Sequence, residues 1–264
     1  GYPMGDTSWV RSTIHARTAV LTIDNPPANA LSLAVLDALR AALDAALASP
    51  DVKVIVLTGA GRLFCAGADI RELAELCDCH SARGFAEQGQ ALCHAIADAE
   101  KPVIAAINGR LALGGGNELA MACHVRLAEE STELGNPEIQ LGLPVGWGAT
   151  QRLPRLVGQG RAVELLLTGE RISARQAEAW GLVNRVVADG TVLEEALALA
   201  ARLERLSAPV MAGMLRAVRV GERQGGEQGL KAEAESFGLL CEHDDWREGT
   251  RAFLEKRTPA FRDC

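Results

Sequence analysis

Two glutamates stand just after turns and are the residues most able to do chemistry: Glu118, two residues beyond Gly114-Gly115-Gly116, and Glu138, directly after Asn136-Pro137. Near a helix start a glutamate is ordinarily a solvated charge that suits the helix dipole. Glu118, however, precedes Leu119, Ala120, Met121 and Ala122. An acid in so apolar a helix is a candidate for burial, which raises a carboxyl pKa toward the range useful for proton transfer. The Asn-Pro turn is suited to holding Glu138 rigidly. The glycine triplet adds a second kind of chemistry, because backbone N–H groups at a helix start attract negative charge and glycine lets a ligand approach them. A developing oxyanion is the natural guest of such a place.

The elements that must position these groups are short strands feeding glycine loops. Pro102 to Asn108 is an apolar run ended by turn residues, and Glu118 to Cys123 reads as a helix. Val54 to Ile70 repeats the theme: a buried strand, then a loop in which Gly67-Ala68-Asp69 presents another N–H beside a helix start. The two loops are therefore expected to face one cleft. Thr18 to Asp24 alternates as a strand, and Asn25-Pro-Pro-Ala-Asn turns it. Ser32 suits a helix N-cap, with Leu36, Leu39, Leu43 and Leu47 as a core stripe until Ser49-Pro50. Gly59-Ala-Gly61 does not open a dinucleotide-binding turn, since the third glycine of that fingerprint would fall at Phe64. The triplet also lacks the Lys-Ser/Thr pair of a nucleotide-phosphate loop.

Composition narrows the class. With 264 residues and 48% hydrophobic content the chain can bury a sizeable core. A net charge of −7 without clustered Lys and Arg argues against a nucleic-acid partner. Seven scattered cysteines fit reduced thiols better than a disulfide framework. Cys77, Cys79 and His80, with Cys93-His94, are spaced too tightly for a zinc pair, so no metal is expected. No apolar run approaches a bilayer span, and the first residues lack a signal-peptide layout, so a cytoplasmic protein with no membrane partner is the expectation. Residues 1–8 show no periodicity and read as a loose arm.

FCAGADIREL, GRLALGGGNELAMAC and NPEIQLG followed by GWGATQRLPRLVG resemble the crotonase, or enoyl-CoA hydratase and isomerase, superfamily, over almost the whole chain. The resemblance implies an α/β fold, a crotonase-like spiral of repeated β-β-α units over 9–191, and a C-terminal helical trimerisation region over 192–264. It implies an acyl-CoA thioester as substrate, with coenzyme A arriving as part of it and no separate cofactor. Ala68 and Gly115 match the two oxyanion donors, and Glu118 and Glu138 match the two glutamates of the hydratases proper. Adding water across a conjugated thioester needs one group to activate water and another to protonate the α-carbon; the match gives these roles to Glu118 and Glu138 respectively. Ala28, Ala30, Ala66, Ala68, Asp69, Ile70, Gly115, Gly146 and Trp147 are the substrate-binding residues it implies, and a homotrimer or dimer of trimers the assembly. Enoyl-CoA hydratase is the leading reading, ahead of another crotonase reaction such as isomerisation, ring hydration or decarboxylation, and of a non-catalytic acyl-CoA-binding oligomer.

Further along, Gln151 to Gly158 and Ala162 to Gly169 read as helices, Ser173 opens a third through Trp180, and Leu182 to Val187 reads as a last strand. From Val192 the pattern is helical, with Leu193, Ala196, Leu197, Ala200 and Leu203 on one stripe and Met211, Met214, Leu215 and Val218 on another. Such apolar excess argues for assembly. Three features depart from the family pattern or stay open. His124 replaces a usual aspartate and reads as structural; Pro144-Val145 alters the loop before Gly146; and Trp147 must either fill the acyl pocket or turn outward. Arg62, Arg71, Lys256 and Arg257 are candidates for the coenzyme A phosphates.

Overall fold

In the computed structural model, which describes residues 9–264, the chain opens as an antiparallel hairpin of β1 (Val10–His15) and β2 (Thr18–Ile23), followed by α1 (Leu33–Ala48). The arm expected over residues 1–8 lies outside the described residues. Ser32 caps α1, its side chain accepting from the Val35 N–H, and Leu36, Leu39 and Leu43 are buried as the stripe predicts. Then come β3 (Val54–Gly59), α2 (Ile70–Glu75), α3 (Cys79–Ala97), β4 (Val103–Ile107), β5 (Leu111–Leu113), α4 (Gly115–Ala122), β6 (Val125–Glu129) and β7 (Glu133–Gly135). A 3₁₀ turn, Pro137–Leu141, leads to α5 (Ala149–Val157), α6 (Gln159–Thr168), β8 (Arg171–Ser173), α7 (Ala174–Trp180) and β9 (Arg185–Val187). Four helices finish the chain: α8 (Val192–Glu204), α9 (Ala208–Gln224), α10 (Gly226–Leu240) and α11 (Asp244–Leu254).

The large sheet runs β1-β2-β3-β4-β6-β9, parallel apart from the first pair, and a small one runs β5-β7-β8. The chain climbs as a spiral. After β3 come bridges from Leu63 to Gly109 and from Cys65 to Ala112; after β4 comes β5; after β6 comes β7; and helical structure follows each. Side chains of the large sheet separate by the period of two that a pleat imposes. Leu21, Ile55, Leu57, Ala105 and Ile107 face one core with α1, α3 and α4, while Val20, Val54, Val56, Ile104 and Ala106 face another. Strands apolar on both faces need cover on both sides.

That second face is covered by α8, through Val192, Ala196 and Ala200. The sequence assigns this helix to an oligomerisation region beginning at 192; it lies instead against the sheet, so a division at 192 would cut through packed core. The expected strand over Leu182 to Val187 is also shorter. The Leu182 N–H closes α7 on the Ala177 carbonyl and only Arg185–Val187 pairs with β6, because Leu182 and Val183 turn into the main core. Beyond α8, helices α9 and α10 pack as a hairpin about Gly225, with Gly221 and Gly229 in backbone contact where a side chain on Gly229 would not fit. Of the second stripe only Met211 is buried; Met214 and Val218 are exposed, as are Phe237 and Leu239 of α10.

Near its end the chain is fastened back onto the large sheet. Lys53, at the entrance to β3, is 3% exposed; its ammonium donates to the Glu204 carbonyl at 2.9 Å and to Asp263 Oδ1 at 2.7 Å. Asp263 also accepts from the Ala208 N–H at 2.8 Å and from Arg17 at 2.8 Å. Burial alone would raise the Asp263 pKa, but hydrogen bonds from Lys53, Ala208 and Arg17 outweigh it and hold the carboxyl below its usual range. Removing one partner of a buried pair strands the other charge. Asp263→Ala should therefore lower unfolding free energy in urea by about 3 kcal/mol, and the Lys53→Met, Asp263→Leu double variant by clearly less.

Candidate active site

The expected cleft forms where the two glycine loops meet. Gly114, at φ +54°, caps α4 without a side chain, and its N–H is tied to the Gly135 carbonyl at 2.9 Å. The next N–H, that of Gly115, begins the helix and finds no acceptor among the described residues. From the other loop, Leu31 pairs around Ala68: its N–H reaches the Gly67 carbonyl at 2.9 Å and its carbonyl takes the Asp69 N–H at 3.1 Å. In a parallel bridge this turns the N–H of Ala68 the other way, so it too stays unpaired. The loops touch: a Cβ added to Gly67, at φ +117°, would stand 3.7 Å from the Gly115 nitrogen. Two free donors thus lie on neighbouring backbones.

Glu118 sits one turn into α4 and is 2% exposed. Its Oε1 accepts two backbone N–H groups, from Trp147 and Ala149, each at 2.9 Å, while Oε2 has no hydrogen-bond partner among the described residues. Burial dominates its titration and, with the nearby Glu138 carboxyl, outweighs those N–H groups and the Arg152 charge, pushing the pKa up to about 7. Glu138, half-buried in the 3₁₀ turn, lies over Gly114, with Oε1 only 3.1 Å from where a Cβ on that glycine would be. Burial raises its pKa too, against the pull of its own N–H and of Asn136. Asn136 donates to Glu138 Oε1 at 3.3 Å and to the Gly114 carbonyl at 3.3 Å, and accepts from Asn117 at 2.9 Å. Glu138 Oε2 is buried and has no hydrogen-bond partner among the described residues. Burial thus raises both carboxyls, and the Glu138 charge adds to the rise at Glu118.

Both glutamates line one cavity of about 350 Å³ together with Ala66, Gly67, Ala68, Ile70, Gly114, Gly115, Gly146 and Trp147. Its remaining wall is apolar, including Leu73, Leu76, Phe85, Leu141 and Leu143. Of the two placements open to Trp147, the inward one is taken. The ring is 3% exposed and wedged between Gly89 and Gly115, where an added Cβ on either glycine would fall 2.2 Å from ring atoms. Phe85 tilts against it at 5.6 Å between centroids.

Three expected binding residues stand outside this cavity. The Ala28 carbonyl takes the Ala66 N–H of the loop at 3.0 Å, and the Ala30 carbonyl takes the Asn25 amide at 2.7 Å within its own turn. Asp69 caps α2 through the Arg71 N–H at 2.9 Å and pairs with the Arg71 guanidinium at 3.1 Å. Arg62, Arg71, Lys256 and Arg257 do not line the cavity either, and Arg257 is engaged by Glu248 and Glu255. His124 is held structurally: Nδ1 accepts from the Val103 N–H at 2.9 Å, so Nε2 carries the hydrogen toward the Ala97 carbonyl at 3.3 Å. Cys77 and Cys79 are exposed, and no group of three or more possible metal ligands assembles among the described residues. Residue spacing gave no hint of Asn117 of α4, of Asn136 before the 3₁₀ turn, or of Phe85 and Gln90 of α3; only the Asn-Pro turn marks one of them.

Comparison with known proteins agrees with this geometry. A family profile described as Enoyl-CoA hydratase/isomerase matches residues 13–264. The chain is 46% identical to a probable enoyl-CoA hydratase of Bacillus subtilis (strain 168), over 92% of this chain and 95% of that protein. It is 43% identical to a crotonyl-CoA hydratase of Syntrophomonas wolfei, over 93% and 94%. Among solved structures, an enoyl-CoA hydratase from Bacillus anthracis superimposes with a TM-score of 0.91 at 36% identity, covering 97% of this chain and all of that one.

The burial of Glu118 has a measurable cost. Its folded pKa of about 7 lies above the ordinary 4.5, so the folded state keeps a proton that the unfolded state releases. Stability conferred by the neutral form is full below 4.5 and is lost as pH rises through 7. Unfolding free energy should fall by roughly 2–3 kcal/mol between pH 5 and pH 8 on this account, and Glu118→Gln should flatten that slope in parallel urea titrations.

Proposed function

This chain belongs to the enoyl-CoA hydratase/isomerase family, and we propose that it is an enoyl-CoA hydratase that adds water across the α,β double bond of an acyl-CoA thioester, or runs the reverse dehydration. The observation that carries this reading is the pairing of Glu118 and Glu138 in one apolar cavity beside the free N–H groups of Ala68 and Gly115. With the thioester oxygen between those donors, charge that gathers there as an enolate is stabilised most when fully developed; one such donor is typically worth about 10²–10³ in rate. Glu118 holds and deprotonates water through Oε2, Oε1 being fixed by Trp147 and Ala149. Glu138, hung from Asn136, delivers a proton to the α-carbon. Coenzyme A arrives with the substrate and no other cofactor is required.

The wedged ring of Trp147 shortens the cavity and favours small or flat acyl groups, in keeping with the crotonyl thioester for which the Syntrophomonas relative is named. The exposed Met214, Val218, Phe237 and Leu239 support assembly through α9 and α10, as a trimer or a dimer of trimers, in the cytoplasm.

Product analysis with crotonyl-CoA in water tests the reaction. Glu118→Gln and Glu138→Gln should each lower turnover by about 10²–10⁴ while thioester binding persists, since the backbone donors are untouched. Near-normal turnover in both would refute the assignment. For Trp147→Ala, the ratio of kcat/KM for longer enoyl thioesters to that for crotonyl thioester should rise by about tenfold, as each admitted methylene contributes on the order of 1 kcal/mol or more. An unchanged ratio would place the ring outside the substrate path.

A further inference from the structure

Glu118 is oriented by N–H groups that belong to a loop with little shape of its own. Trp147 is flanked by Gly146 and Gly148, the latter at φ +118°, and glycines tolerate rotation of a peptide plane that other residues resist. The wedged indole fixes the Trp147 side chain but leaves the tilt of its peptide group to be set by other contacts. The carbonyl of that same peptide unit, that of Gly146, is held from the far side by Gln90 of α3, whose Nε2 donates to it at 2.9 Å. The next carbonyl, that of Trp147, accepts from Arg152 at 3.3 Å.

A trans peptide points its C=O and N–H in opposite directions. Capturing the Gly146 oxygen outside the cavity therefore aims the Trp147 N–H inward, at Glu118 Oε1. The chain of contacts is amide donor, carbonyl, N–H, carboxylate, and each hydrogen bond polarises the next. We propose that Gln90 is a positioning residue for Glu118: it locks the Gly146–Trp147 peptide so that one carboxylate oxygen is tied down and the other is presented to the cavity. The kinetic part of this inference rests on the hydratase reading; the structural part does not.

Without the amide of Gln90 the peptide is free to rotate, and Oε1 keeps only the Ala149 N–H. Several other groups act on this carboxyl. Glu138 faces it across the cavity and opposes its ionisation, and Arg152 of α5 favours it; on α3, burial keeps the Cys93 thiol neutral, and burial ahead of the Arg152 charge lowers the His94 pKa. None of these is altered by an isosteric change at Gln90. Loss of one donor to the ionised form then makes Glu118 harder to ionise.

The test uses the full chain, with carboxyl-¹³C glutamate labelling and the Glu118 resonance assigned by its loss in Glu118→Gln. Gln90→Met keeps the size and removes the donor. It should raise the apparent pKa of Glu118 by about half to one unit and lower kcat about tenfold with KM within about twofold, moving the acidic limb of the pH profile upward. Gln90→Lys, which retains a donor of sufficient reach, should return the titration to the wild-type value or below. Should Gln90→Met fail to fold, Gln90→Leu supplies the same loss of donor without adding a charge. An unchanged Glu118 titration in the donor-less variants, whatever happens to rate, overturns the proposal, as does a rise in KM alone. If the wild-type protein hydrates no enoyl thioester, the functional reading fails, and the carboxyl titration still decides the role of Gln90.

Discussion

The structure turns on one carboxyl group that is almost wholly withdrawn from bulk solvent. Glu118 lies inside an apolar helix, and its burial is tolerable because two backbone N–H groups meet one of its oxygens. An isolated buried carboxylate is costly enough to stay protonated, and one fully satisfied by donors would be too stable to take a proton. Here one oxygen is satisfied and the other is left to the cavity. The half-measure puts ionisation near neutrality, and it requires α4, the loop before α5 and the back of α3 to be fixed relative to one another. Spiral turns that stack these elements are what fix them.

Close approach is the second constraint, and it follows from the first. Gly67, Gly114 and Gly115 bring two loops, a carboxyl and an indole ring within contact distance, leaving no room for a Cβ on Gly115. The ring of Trp147 thereby joins three jobs: it walls the cavity, packs the main core, and carries on its backbone a donor to Glu118. A change of pocket shape at this residue is thus coupled to the electrostatics of the acid. A replacement of Trp147 that let the loop shift would remove one of the two donors to Glu118 Oε1.

Much of this was legible in the residues because it is local. The continuous apolar run of Val54–Gly59, the Ser32 cap and the glycine triplet ahead of Glu118 each express a backbone requirement within a few positions, and all appear in place. What escaped is non-local. Gln90 lies on the polar side of an amphipathic helix and reads as solvated surface; its meaning depends on a carbonyl 56 residues away. The Ala28 carbonyl takes the Ala66 N–H across 38 residues, a tie that the spacing of neither segment announces. The stripe of α8 is as apolar as that of α9, and periodicity cannot say which face meets a sheet and which stays open. Leu182 and Val183 have strand-like side chains but are drawn into the core by the closing turn of α7.

The late arrival of α8 bears on how the protein is made. Strands β2, β3, β4 and β6 are all synthesised before the helix that shields their second face, so Val20, Val54, Val56, Ile104 and Leu127 form a finished but uncovered apolar surface on the nascent chain. Such transient surface is where aggregation begins.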